Sequence, residues 1–134
     1  MKKIIVALAS FAFVLCVLFA VAAIASKLKI TGMYSDMDQS KETHDIVGTE
    51  LLIVKCTDND EYYGVVQIAE GSSQIPFVVK LKIEGNKIEF EDKPDPDEKR
   101  MPMKFKGIIY DKGIKGEWVG GFRVDMKRGK SFWQ

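Results

Sequence analysis

The chain has 134 residues, 46% of them hydrophobic and 29% charged, with 20 basic residues against 19 acidic ones. That is one domain's worth of chain, and a net charge of +1 gives no reason to expect a nucleic-acid partner. Two cysteines and one histidine are too few for a disulfide framework, or for a zinc site without carboxylate help.

The N-terminus reads as an export signal. Met1, Lys2 and Lys3 form a short basic start, and residues 4–24 are apolar throughout except Ser10. Ala23 and Ala25 place small residues where a signal peptidase reads them, which predicts a hydrophobic helix over 1–25 and cleavage before Ser26. Cys16 does not mark a lipoprotein signal, because Leu15 precedes it where a small residue is required. The alternative is an uncleaved anchor. The run nearly spans a bilayer core of about 30 Å at about 1.5 Å per residue, and Lys2 and Lys3 would hold its start in the cytoplasm. Either reading exports residues 26–134 as a periplasmic or secreted domain, anchored to the inner membrane if cleavage does not occur. That domain keeps one cysteine, Cys56, which reads as a small buried hydrophobe.

Residues 29–36 predict a first strand with Gly32 and Tyr34 on one face. Residues 37–45 are polar, a loop or a single helical turn. Residues 46–56 are apolar and β-branched, a second strand with a bulge near Gly48. After the turn chemistry of Asp58, Asn59 and Asp60, residues 62–69 form a third strand with Gly64, Val66 and Ile68 on one side. Residues 70–73 turn the chain. The cleanest alternation is in residues 75–83, where Ile75, Phe77, Val79, Leu81 and Ile83 point one way. Gly85 and Asn86 make a two-residue hairpin turn into a fifth strand, 87–91, with Ile88 and Phe90 inward.

Residues 92–100 carry two prolines and many charges and read as a solvated loop. Three strands follow. Phe105, Gly107 and Ile109 alternate with Lys104, Lys106 and Ile108. Ile114, Gly116 and Trp118 alternate with Lys115 and Glu117. Phe122, Val124 and Met126 alternate with Arg123, Asp125 and Lys127. Arg128 and Gly129 turn the chain into a short terminal segment.

These elements predict an all-β domain, a single small antiparallel up-and-down barrel of about eight strands. Closure also removes two exposed edges. With Gly32, Met33 and Tyr34 as G-x-Y on the first strand, the arrangement resembles the lipocalin and avidin type of meander barrel. The likeness is one of topology, and a tyrosine stands where lipocalins usually carry tryptophan. It implies a lipocalin-like domain over 26–134, and fold alone assigns no function.

No catalytic or metal constellation emerges. Gly129, Lys130 and Ser131 resemble the end of a phosphate loop, but Val124 holds the place of the required glycine and no helix can follow. Asp36, Asp38 and Ser40 open like a calcium loop, yet Lys41 and Val47 occupy the glycine and closing-glutamate positions. Nothing in the sequence brings His44 to Cys56 as a base and nucleophile. The chain therefore reads as non-enzymatic, with no cofactor.

Two sets of residues remain. Tyr34, Phe77, Phe90, Phe105, Trp118 and Phe122 all fall on inward faces. They either fill the barrel or line a cavity for a small hydrophobic ligand, the alternative function. Gly64, Gly107 and Gly116, also inward, make room for a ligand or for an aromatic ring. Charge supplies the second set. Residues 31–70 hold nine acidic residues and two lysines, whereas residues 99–134 hold ten basic residues and three acidic ones. In a meander, opposite charge then lies on opposite walls. The preferred expectation is a binding surface of Lys104, Lys106, Lys115, Arg123, Lys127 and Arg128 for an anionic envelope component or an acidic protein.

Overall fold

A computed structural model describes residues 28–97 and 101–134. The signal or anchor helix expected over residues 1–25 lies outside the described residues.

The chain forms nine strands: β1 (Gly32–Ser35), β2 (Asp38–Gln39), β3 (Ile46–Lys55), β4 (Tyr62–Gly71), β5 (Phe77–Glu84), β6 (Lys87–Asp92), β7 (Met103–Tyr110), β8 (Gly113–Trp118) and β9 (Phe122–Arg128). Each pairs antiparallel with its sequence neighbour from β2 to β9, and β1 pairs with both β3 and β9. The result is a closed eight-stranded antiparallel barrel with β2 as an extra strand on β3. Alternation fixes which side faces in. One cluster fills the interior, from Tyr34, Leu51 and Ile53 through Leu81, Ile88 and Phe105 to Trp118, Val124 and Met126.

Two expectations at strand ends need correcting. β3 has no bulge at Gly48: its register with β4 runs unbroken from Ile46↔Gly71 to Lys55↔Tyr62. The glycine is needed for close approach. Its φ is 121°, and a Cβ there would lie 2.6 Å from the carbonyl oxygen of Asp36. Asp36 crosses at this point, donating its N–H to the Thr49 carbonyl (3.0 Å) and accepting the Thr49 N–H on Oδ1 (2.6 Å). These bonds bridge β1 and β2, which hold one common register on β3, and β2 sits in the segment read as a polar loop.

The second correction is at Ile75, which is 89% exposed, because β5 starts only at Phe77. The Gln74 N–H bonds to the Ile68 carbonyl at 2.8 Å and its carbonyl accepts from Gln67. That holds the chain against β4 and sends Ile75 and Pro76 outward before pairing begins at Val66↔Phe77.

One end of the barrel is sealed by the segment that leads into β1 and by the residues around the end of β9. Leu28 and Ile30 pack under the core. The Tyr34 hydroxyl donates to the Ile30 carbonyl (2.6 Å), and burial pushes its pKa up despite the Arg128 guanidinium. Arg128 lies 4.6 Å over the Tyr34 ring and donates to the Thr31 carbonyl (3.0 Å), the Lys29 carbonyl and the Tyr34 hydroxyl. The C-terminal segment folds back over β3 and β4. There the Ser131 hydroxyl and the Phe132 N–H both donate to Glu50 at 2.7 Å, which satisfies a carboxylate buried on an outward position.

Candidate binding site in the barrel wall

The wall is open along one line. β5 pairs with β4 through its first half, from Val66↔Phe77 to Tyr62↔Leu81. It pairs with β6 only through its second half, from Lys82↔Glu89 to Glu84↔Lys87. β6 meanwhile follows β7 for its full length, to Asp92↔Met103. Beyond Lys82 and Glu89 the two strands therefore diverge. A cleft of about 1110 Å³ opens between them. Its lining includes the apolar groups of Tyr62, Leu81, Ile83, Phe90, Phe105 and Val119. Its rim carries Lys80, Lys82, Lys93, Lys104 and Lys106 together with Asp60, Glu61, Glu89 and Glu91.

The floor is rigid. Phe90 and Phe105 stack with ring centroids 5.0 Å apart, and Trp118 meets their edges at 5.5 and 5.1 Å. The Trp118 N–H reaches across the interior to the Thr49 hydroxyl at 3.4 Å. The rim is ionic but exchangeable. Lys104 pairs with Glu91 at 3.3 Å and Lys106 with Glu89 at 3.9 Å. Glu61 takes bonds from Lys80 and from the Tyr63 hydroxyl, which hold its carboxyl below the usual range.

The expected basic surface divides. Lys104 and Lys106 stand on the cleft rim. Lys115 and Lys127 share Asp125, at 3.9 and 2.7 Å, and both lie near the Tyr110 ring. Hydrogen bonds from Lys127 and then Tyr110 lower the Asp125 pKa. Arg123 is exposed, in register with Glu117, beside a shallower depression of about 430 Å³. Arg128 is turned away from this surface and committed to the sealed end. Much of the positive charge on β7–β9 is met by carboxylates, since Glu89↔Lys106↔Glu117↔Arg123 alternates in sign across four strands. Glu89 and Glu91 come from β6, ahead of the basic stretch 99–134.

The aromatic set divides too. Tyr34, Phe90, Phe105 and Trp118 are interior, and Phe77 is half-buried against them. Phe122 is the exception at 64% exposed. It shares the inward side of β9 with Val124 and Met126 but stands at the strand's first position, beside the Gly120–Gly121 turn and past the rim of the core. The inward glycines are covered by side chains. A Cβ on Gly116 would lie 2.4 Å from Phe105 Cζ, one on Gly107 2.9 Å from Phe105 Cε1, and one on Gly64 2.8 Å from Leu51 Cδ1.

His44 and Cys56 lie beyond opposite ends of β3, a strand of 10 residues that spans about 30 Å at ~3.3 Å per residue. They cannot act as a pair. No group of three His, Cys, Asp or Glu side chains suited to a metal ion occurs among the described residues.

The cleft itself was missed in the sequence. A signal was present: an arm over 75–83 and an arm over 87–91, joined by a two-residue turn, are unequal in length, so part of the longer arm has no hairpin partner.

Comparison with known protein families, with characterised proteins and with solved structures gives no match to this chain.

Proposed function

We propose that the protein is an exported, non-enzymatic binding module that holds an anionic partner at the wall cleft between β5 and β6. One observation carries this reading. Lys104 and Lys106, from the charged set, meet Phe90 and Phe105, from the aromatic set, at a single concave place. A concave apolar floor with a few polar groups at its edge is the common form of a binding site. The lysines are exposed and the carboxylates facing them are partly exposed, and such surface pairs are worth only about 0–1 kcal/mol. A partner's anionic group can therefore displace Glu91 or Glu89 at little cost. Export to the periplasm or beyond is supported by the basic, apolar, small-residue order of the first 25 residues.

The test uses 8-anilinonaphthalene-1-sulfonate, which joins an aromatic body to one anionic group. It should bind the folded protein with enhanced emission, and Lys104→Glu with Lys106→Glu should weaken binding by at least tenfold while near-UV circular dichroism stays unchanged. Equal binding by the double variant would remove the proposal.

A further inference from the structure

We infer that the occupant of the cleft is an extended segment of an acidic protein, which adds to the free edge of β5 as a further strand. This rests on the cleft being the binding site and names its partner class.

The direction of the backbone groups carries the argument. Glu84 and Lys87 flank a two-residue turn, so they form the hydrogen-bonded pair that closes a hairpin, and Lys82 with Glu89 forms the next. Counting back by two, Lys80 aims its N–H and C=O groups into the cleft and Val78 aims its own along the same edge, just beyond the cleft lining, while Leu81, Val79 and Phe77 aim theirs at β4. On β6, the Asn86 carbonyl accepts from the Ile109 N–H at 2.7 Å. That sets Ile88, Phe90 and Asp92 toward β7 and leaves Glu91 facing the cleft. No described strand pairs with these edges.

Donors and acceptors repeating every second residue match another strand and no compact small molecule. Val78 is 67% exposed on the outer face, and no described strand pairs with it on the side away from β4. β5 offers two such residues against one on β6, and antiparallel pairs are the more stable, so the segment runs antiparallel to β5. Its alternate side chains then face the floor of Leu81, Phe90 and Phe105 and must be apolar. The others face out beside Lys93 and beside Lys80 and Lys104, where a partner's carboxylates would replace the exposed pairs with Glu61 and Glu91.

The experiment uses an acetylated, amidated peptide of about seven residues alternating Val and Glu, long enough to line roughly 17 Å of edge plus its ends. Amide hydrogen exchange read by NMR is the measurement. With the peptide at saturation, exchange at Val78 and Lys80 should slow by at least about tenfold. A peptide N-methylated at the positions facing β5 should give no protection, and one N-methylated at the other positions should bind more tightly than it. Lys80→Pro, which removes an N–H directed at the cleft, should lose peptide binding while Lys80→Gln keeps most of it. If anilinonaphthalene sulfonate binds but the peptide does not, or the methylated peptides bind alike, strand addition is overturned and the cleft remains a binding site. If neither probe binds, both readings fail.

Discussion

Gly116→Ala tests the packing on which the barrel depends. The new methyl group would lie 2.4 Å from Phe105 Cζ, 2.6 Å from the Lys106 carbonyl oxygen and 3.0 Å from Gly107 Cα. The first contact is with a ring that could turn, but Phe90 and Trp118 hold it at centroid distances of 5.0 and 5.1 Å. The other two are with the backbone of β7 and can yield only if the β7–β8 pairing spreads. Overpacking costs about 1–3 kcal/mol, and backbone contact puts this case near 3. For a domain of this size that is a fall in Tm of roughly 10–20 °C. Urea unfolding should show a lower midpoint with an unchanged slope. Phe105→Leu alone should cost about 1–2 kcal/mol, and combined with Gly116→Ala the loss should be less than the sum by about 1 kcal/mol, because the ring is a shared partner. An unchanged Tm for Gly116→Ala, or strict additivity, would show that the Phe105 ring is not seated on Gly116.

Arg128→Met keeps a long apolar stem but removes the donors to Thr31, Lys29 and Tyr34; it should destabilise by about 2–3 kcal/mol and raise proteolysis near residue 28, and a neutral result would return Arg128 to the outer surface. Burial raises the Asp36 pKa more than its hydrogen bonds lower it. The folded state thus favours the protonated acid, so this contribution to stability is present at low pH and lost as pH rises through the folded pKa. Asp36→Asn, which keeps an acceptor for Thr49, should gain on the wild type between acid and neutral pH, and a gain that shrinks in that direction would refute the assignment. Asp36→Ala should cost about 1–3 kcal/mol at acid pH, because it strands the Thr49 N–H, and the cost should shrink toward neutral pH as the Asn variant's gain grows.

The barrel was legible because alternation is a local signal: Val66, Leu81, Phe105, Ile114 and Val124 all stand inside as their spacing demands. What failed was non-local or terminal. Ile75 fits the alternation, but the bonds that draw Gln74 onto β4 delay the start of pairing until Phe77, two residues later. Gly48 looked like a bulge because its need for positive φ comes from Asp36, 12 residues earlier in the chain. The charge of residues 99–134 looked unopposed because its counter-charges, Glu89 and Glu91, lie in β6 and meet it only through the strand register. Alternation also cannot show where a strand changes partners. The cleft, which is the change of β5 from β4 to β6, left its trace only in two unequal hairpin arms.

The cleft persists for reasons of backbone chemistry, and these give a test that needs no partner. β6 cannot run on along β7 past the cleft, because Pro94 and Pro96 follow Asp92 on the side that would face β7 and supply no N–H. β5 cannot swing across to meet β6 without giving up its pairs from Val66↔Phe77 to Tyr62↔Leu81, which hold Val79 and Leu81 in the core. The edge amides of Val78 and Lys80 are therefore left in water while those of Val79 and Leu81 are bonded to β4. In the free protein, exchange along β5 should alternate, fast at Val78 and Lys80 and slower by about tenfold or more at Val79 and Leu81, and then become slow at Lys82, where β6 takes over the pairing. Uniform protection from Phe77 to Glu84 would mean that the edge is already covered and that no strand can be received there.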